Sequence, residues 1–144
     1  MVRQFDRNGI CFQYPENWQL DDQSEDASGS CLTLQSPGTG FWMLQDFSAD
    51  RSPDKLAADV LRSMRQDYDS IEARLVREQL GDVEAVGYDM HFYCLDFVVA
   101  AKVRSFAAEG RQFVIVYQAE DREFEQLEPV FSAITISLLR SLEK

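Results

Sequence analysis

The chain has one histidine, His91, and a carboxylate two positions before it, Asp89. This spacing places both side chains on the same side of a β-strand, where a carboxylate can orient a general base. Cys94 is close in sequence but has the opposite strand parity, so pairing it with His91 would require a break in the strand. No G-x-S-x-G motif marks a nucleophile. A hydrolase using His91 and Asp89 is therefore the alternative hypothesis, and a partly exposed sheet position beside an acid is the simpler interpretation.

Other patterns do not indicate a cofactor or metal site. The three cysteines, Cys11, Cys31 and Cys94, are widely spaced and odd in number, which predicts reduced thiols rather than a zinc site or a disulfide framework. The acidic stretches 21–26 and 120–128 lack the D-x-[DN]-x-[DN]-G spacing of a calcium loop. The sequence has no phosphate-binding loop with a lysine and no G-x-G-x-x-G motif after a strand. We therefore predict neither a cofactor nor a bound metal.

Length and charge restrict the class of protein further. The 144 residues fit one domain, 1–144, and the 25 acidic against 14 basic residues give a formal net charge of −11. This sign disfavours nucleic acid and anionic membrane surfaces as partners. No apolar run approaches the roughly 20 residues of a membrane-spanning helix, and the first residues lack the pattern of a secretory signal. We expect a soluble cytoplasmic protein without stable membrane insertion.

Most of the chain has strand periodicity. Asn8-Gly9 is a two-residue hairpin signal, followed by Ile10, Phe12 and Tyr14 on one face of a strand. Pro15 ends that strand, and after a turn the next strand begins near Trp18 and Leu20, before an acidic loop over residues 21–30. Further strands are predicted at Cys31–Gln35, Phe41–Phe47, Ile71–Leu80, Glu84–Tyr93, Phe97–Phe106 and Gln112–Gln118, the last of them central because it is apolar on both faces.

Two segments have helical periodicity instead. Ser52 is a good N-cap, Pro53 suits the first helical position, and apolar residues recur at helical spacing as far as Tyr68. A second helix begins at Asp121, with a kink or a restart predicted at Pro129. Strand signals on both sides of one strong helical period predict an α+β fold, an antiparallel sheet with both helices packed against it.

The opening stretch "FQYPENW" supports a more specific fold. Phe12, Tyr14, Pro15 and Trp18 match an F-x-Y-P-x-x-W pattern, and with the strand meander and the closing "QAEDREFEQLEPVFSAITISL" the chain resembles the PsbP-like superfamily. That superfamily includes photosystem II PsbP, Mog-type Ran-binding proteins and bacterial DcrB-like proteins. The resemblance implies an antiparallel sheet sandwiched between helices (α/β/α). It also implies binding rather than catalysis, with Eag-type chaperones of secreted effectors as one example.

The aromatic residues suggest where such binding would occur. Trp42, Tyr88, Tyr93 and Phe106 supply more apolar surface than two helices need to cover, and Trp and Tyr are frequent in binding hot spots. We therefore predict a non-enzymatic protein-binding or adaptor module, with these four residues as candidate contacts and a protein as partner. A homodimer is a further alternative, because an adaptor could place its apolar patch at a dimer seam.

Overall fold

The computed structural model describes residues 1–7, 9–23, 31–47 and 51–142. In these ranges, two helices, α1 (Pro53–Asp67) and α2 (Asp121–Leu142), interrupt and follow nine strands. The strands are β1 (Val2–Arg7), β2 (Ile10–Pro15), β3 (Gln19–Asp22), β4 (Cys31–Gln35), β5 (Phe41–Phe47), β6 (Glu72–Leu80), β7 (Val83–Cys94), β8 (Phe97–Ala108) and β9 (Arg111–Glu120). Within the described ranges, neither helix is long and apolar enough to span a membrane.

Seven strands form one antiparallel sheet in the order β3-β4-β5-β9-β8-β7-β6. The predicted α+β fold with a large antiparallel sheet is confirmed. The strand expected to be central, β9, lies in the middle of the order, and its residues from Phe113 to Tyr117 are all buried. A strand that is apolar on both faces avoids water only in such a position.

The β1–β2 hairpin forms a separate two-stranded sheet that packs on the N-terminal part of the core. Its register brings Arg7 opposite Ile10, as the hairpin signal predicts; Gly9 has a positive φ of 80°, and Asn8 lies outside the described residues. The hairpin is attached to α2, because the backbone N–H of Gln13 donates to Ser137 Oγ at 2.9 Å. The two ends of the chain therefore meet in one cluster.

The opening motif packs as a structural unit. Phe12 lies 5.1 Å from the ring of Trp42, and Trp18 meets Phe131 of α2 edge-on at 5.8 Å between ring centroids. The N–H of Trp18 donates to the carbonyl of Pro15, which closes the turn between β2 and β3. Aromatic pairs at these separations stabilise a core beyond their buried area. The motif is therefore part of the core, as its sequence predicts.

The two helices contact different sets of sheet side chains. Phe113, Ile115 and Tyr117 of β9 belong to the cluster beneath α2, whereas Val114 and Val116 belong to the cluster beneath α1. Because successive side chains of a strand point to opposite faces, both faces of β9 are covered. The α1 helix begins as predicted, with the Ser52 side chain accepting from the backbone N–H of Lys55.

Two local expectations differ from the structure. Of the kink or restart predicted at Pro129, the restart is wrong, since α2 runs unbroken from Asp121 to Leu142. Phe124 and Phe131 are buried on either side of the proline, and their packing in one core outweighs its cost of about 3 kcal/mol. The acidic loop expected over residues 21–30 does not include Asp21 and Asp22, because both pair with β4 as part of β3. Residues 24–30 lie outside the described part of the chain.

Candidate protein interface

An exposed apolar surface lies at the turn between β7 and β8. Tyr93 is 68% exposed, Leu95 is 90% exposed and Phe97 is 60% exposed. Cys94 pairs with Phe97 and Tyr93 pairs with Val98, so Tyr93 and Phe97 point to opposite faces at the end of a regular antiparallel ladder, with Leu95 in the turn between them. We call Tyr93, Leu95 and Phe97 the hairpin tip. A pocket that encloses the end of the hairpin would bury all three side chains, and exposed large apolar side chains commonly mark a site of contact with another protein.

The backbone of the hairpin tip is as unusual as its side chains. Leu95 has a φ of 57°, in the left-handed region that non-glycine residues seldom adopt. A left-handed residue with a Cβ costs about 1 to 2 kcal/mol, and glycine or asparagine would avoid most of that cost. The chain therefore places an exposed leucine where a smaller or polar residue would be more stable. Such an outlier is a reason to look for function.

The four aromatic residues predicted as contacts have different environments. Tyr93 belongs to the hairpin tip, and Tyr88 is half-buried against the cluster beneath α1. Trp42 and Phe106 are both 0% exposed, which removes them from the candidate surface. Trp42 packs against Phe12 beneath α2, and Phe106 stacks on Phe113 with 5.4 Å between ring centroids. Their apolar area is used in the core cluster that also contains Phe113 and Phe131.

The structure gives His91 and Asp89 different partners. His91 Nε2 lies 3.5 Å from Asp121 Oδ1 at the start of α2, and His91 is exposed. Asp89 instead accepts from Arg104 at 2.7 Å and from Arg74 at 3.1 Å. In place of the predicted arrangement in which Asp89 orients His91, Asp89 is bonded to two arginines and His91 lies beside Asp121. The groove that contains both residues has no serine, threonine or cysteine among its described lining residues.

Arg104 is the buried partner of Asp89. The Arg104 side chain is only 4% exposed, and its guanidinium is bonded by Glu78 at 2.7 Å as well as by Asp89. Burial alone would raise the pKa of Asp89, but the hydrogen bonds and charge of Arg104 outweigh it and lower that pKa. Burial likewise opposes the charge of Arg104, and the hydrogen bonds that it donates to Glu78 and Asp89 leave its pKa raised. A buried cation requires such partners, so the cluster has a structural role.

A second apolar region lies between α1 and β5. Phe41, Met43 and Phe47 of β5 are half-buried there, beside Met64 and Tyr68, around a groove of about 440 Å³. Unlike the hairpin tip, this groove exposes each side chain only in part.

Among the described residues, no group of three or more His, Cys, Asp or Glu side chains is arranged to hold a metal ion.

The strands predicted to end at Tyr93 and to resume at Phe97 imply a turn at Leu95-Asp96, but Leu95 and Phe97 were not predicted as candidate contacts. A usable signal was present: a leucine occupies the first position of a two-residue turn, where Asn or Gly is usual. Phe97 has the parity of Val99 and Val103, which predicts burial. It is exposed because α1 does not extend over the end of the hairpin, a property that depends on tertiary structure.

This arrangement is the PsbP-like fold. Cyanobacterial PsbP (CyanoP) from Synechocystis sp. PCC 6803 matches 94% of this chain and 90% of its own chain, with a TM-score of 0.69 and 14% sequence identity. The Ran-binding protein Mog1p of Saccharomyces cerevisiae matches over 99% and 92%, with a TM-score of 0.54 and 11% identity. The resemblance predicted from the opening motif is confirmed at the level of the fold.

A third similar structure is LpqN, involved in cell envelope biogenesis of Mycobacterium tuberculosis. It matches 93% of this chain and 87% of its own, with a TM-score of 0.57 and 15% identity. No protein-family model and no curated protein sequence matches the chain. Identities this low establish a shared fold, while function must be argued from the site itself.

Proposed function

We propose that the chain is a non-enzymatic protein-binding module that contacts its partner through the hairpin tip. The observation that carries this proposal is the exposure of Tyr93, Leu95 and Phe97 together, with Leu95 held at a positive φ. Burial of three such side chains against a partner would supply about 1.5 to 3 kcal/mol each. The same surface has no evident role in the stability of the isolated chain.

The partner best suited to this surface has an apolar pocket with a basic rim. Asp96 is exposed beside Leu95, and the whole chain has a formal net charge of −11. Complementary charge around an apolar contact increases the rate of association and disfavours acidic competitors. Holding an apolar segment of a secreted effector, as the PsbP-like resemblance suggests, is one form of binding that such a surface would serve.

We infer that this binding takes place in the cytoplasm. Residues 1–144 form one domain in which α1 and α2 enclose the sheet as an α/β/α sandwich. The alternation of Val114 and Ile115 between the two clusters supports this arrangement. Mog1p, which has the same fold, is a Ran-binding protein, and this precedent supports a protein as the partner here.

The alternative, a hydrolase using His91 and Asp89, has weaker support. Asp89 is engaged by two arginines, and His91 is paired with Asp121 on another element. A general base needs an orienting group and a nucleophile within hydrogen-bonding distance. Asp89 does not orient His91, and the groove that contains both has no serine, threonine or cysteine among its described lining residues.

The test compares variants of the hairpin tip with a matched surface control. Leu95→Gly removes the side chain and the strain that a Cβ causes at this positive φ, so the variant should fold at least as stably as the native chain. Tyr93→Ser removes a second contact, and Ile136→Ser is the control because Ile136 is an exposed apolar residue on α2. We expect partners recovered quantitatively with the native chain to be lost with both tip variants and retained with Ile136→Ser and His91→Ala.

Two results would overturn the proposal. Undiminished partner recovery by a folded Tyr93→Ser, Leu95→Gly double variant would exclude the hairpin tip as the contact surface. Loss of recovery with His91→Ala alone would favour a role for the histidine instead. Thermal melts of every variant separate loss of contact from loss of fold.

A further inference from the structure

The two edges of the seven-stranded sheet differ in length and charge. The β3 edge has four residues and carries Asp21 and Asp22, the second of which is bonded to Arg7 of the β1–β2 hairpin. The β6 edge has nine residues, EARLVREQL, without proline or glycine. Its two glutamates and two arginines cancel, although the chain as a whole is strongly acidic. Natural sheets usually protect an edge with short length, proline or charged side chains. β6 is long and has no proline, and its four charged side chains balance in sign, so a second strand of complementary charge can pair with it.

Antiparallel pairing of β6 with β6 of a second copy is restricted to a few registers. Along an edge strand, only alternate residues direct their backbone N–H and C=O groups away from the sheet. Two identical strands must therefore match residues of the same parity, and each allowed register is centred on one residue that faces its own copy. The side chains then decide which centre is favourable.

The register centred on Val76 gives complementary charges. It places Val76 opposite Val76 of the second copy and Arg74 opposite Glu78 of the second copy, twice by symmetry. A register centred on Leu75 would instead oppose Glu72 with Glu78, and a centre at Arg77 would oppose two arginines. Opposite charges directly across a ladder stabilise it, and like charges destabilise it.

Pairing centred on Val76 would also give new contacts to the side chains on either side of it. Leu75 is 54% exposed, and the Val76-centred register would place it directly opposite the aliphatic stem of Arg77 of the second copy. On the other face, Arg74 is bonded to Asp89 and Glu78 to Arg104 within each chain. An Arg74–Glu78 pair between copies would join the two clusters into one continuous charge network.

We propose that the chain forms a homodimer through antiparallel pairing of β6 strands centred on Val76, which joins the two sheets into one of fourteen strands. The occupant of the β6 edge is thus a second copy of this chain, selected by charge complementarity. The paired strands bury less area than the 1,200 to 2,000 Å² typical of stable complexes, so roughly micromolar or weaker association is expected. This surface is separate from the hairpin tip.

Disulfide crosslinking tests the register. Val76→Cys would place two thiols directly opposite each other, within the roughly 4.4 to 6.8 Å Cα separation of a disulfide. Leu75→Cys would place them diagonally, about 7 to 8 Å apart. Leu75 is more exposed than Val76, so random collision would favour the Leu75 variant.

We expect mild oxidation to crosslink Val76→Cys chains much faster than Leu75→Cys chains, with peptide mass spectrometry excluding links through Cys11, Cys31 or Cys94. A mixture of Leu75→Cys and Arg77→Cys chains should also crosslink, because these positions face each other. Equal or faster crosslinking of Leu75→Cys alone would overturn the register.

Sedimentation equilibrium tests the association itself. The native chain should increase in average mass from 16.5 kDa as its concentration rises from about 1 to about 100 μM. Val76→Lys, which brings two lysines together, should remain monomeric, whereas Val2→Lys on the exposed β1 strand should behave as the native chain. A native chain that stays monomeric, or a Val76→Lys variant that dimerises equally, would overturn the dimer.

Discussion

Trp42 on β5 donates a hydrogen bond from its indole Nε1 to Thr135 Oγ1 on α2 across 3.0 Å, with both side chains buried. The Thr135 hydroxyl in turn donates to the carbonyl of Phe131 at 2.9 Å. The bond satisfies the one polar atom of a tryptophan that is otherwise surrounded by apolar groups, and it aligns the helix with the sheet. A buried donor left without a partner costs more than the bond contributes.

Removing the acceptor should therefore destabilise the fold. Thr135→Val keeps the shape and leaves the indole N–H unpaired, and we expect the free energy of unfolding to fall by about 1 to 3 kcal/mol in urea titration. The Trp42→Phe, Thr135→Val double variant should lose less free energy of unfolding than the two single variants lose together, because the unpaired donor is then absent. Additive losses would show that the two side chains are not coupled.

Gly87 on β7 should not tolerate a methyl group. A Cβ there would lie 1.6 Å from the carbonyl oxygen of Val103 and 2.6 Å from its carbonyl carbon, and backbone atoms in a paired strand cannot yield that distance. Gly87→Ala is expected to cost at least about 4 kcal/mol or to prevent folding. Gly110→Ala is the matched control, because Gly110 has a φ of 71° and open space around it, so only the strain of about 1 to 2 kcal/mol applies. Equal melting temperatures for the two variants would contradict the proposed contact.

Tyr117 should limit stability at high pH. Burial beneath α2 raises its pKa to about 12, against an ordinary value of 10.0. Its contribution is fully present below about pH 10 and is lost as pH rises through about 12, since the unfolded chain releases the proton first. Tyr117→Phe should remove this part of the alkaline decline, which amounts to about 3 kcal/mol at most. Urea unfolding at several pH values measures it, with Tyr93→Phe as control; identical alkaline slopes for native and Tyr117→Phe chains would refute the assignment.

Asp89 should contribute to stability at neutral pH and lose that contribution in acid. Its pKa is lowered from 3.8 in the folded chain, so the contribution is fully present above about pH 5 and disappears as pH falls through the folded pKa. Asp89→Asn should cost about 1 to 3 kcal/mol at pH 7 by leaving Arg104 with Glu78 alone, and the difference from the native chain should shrink toward about pH 2. Asp54→Asn breaks an exposed pair with Arg77 and should cost much less than Asp89→Asn at every pH. A constant Asp89→Asn deficit across this range would show that the carboxylate charge is not responsible.

Local patterns were sufficient to predict most of the fold. Ser52 and Pro53 define the start of α1, and the uninterrupted apolar run from Phe113 to Tyr117 identifies the central strand. The continuation of α2 through Pro129 could not be predicted from local patterns. It depends on how Phe124 and Phe131 pack against residues far away in the sequence.

The candidate site was less predictable, because exposure depends on which parts of the sheet the helices cover. Trp42 and Phe106 carry no sequence signal that distinguishes them from Tyr93, yet the first two lie within the core. The partners of Asp89 could not be predicted from the sequence either. Arg104 is 15 positions away in sequence and reaches Asp89 only through the pairing of β7 with β8.

The hydrogen bond between Gln13 and Ser137 spans 124 positions of the chain and has a consequence for synthesis. A nascent chain would expose the aromatic residues of β2 and β5 until α2 leaves the ribosome and covers them. Contacts between such distant segments slow folding, and apolar surface exposed during the delay favours aggregation. Premature termination before α2 should therefore yield an aggregation-prone fragment that depends on cellular chaperones, even though almost the whole sheet has already been translated.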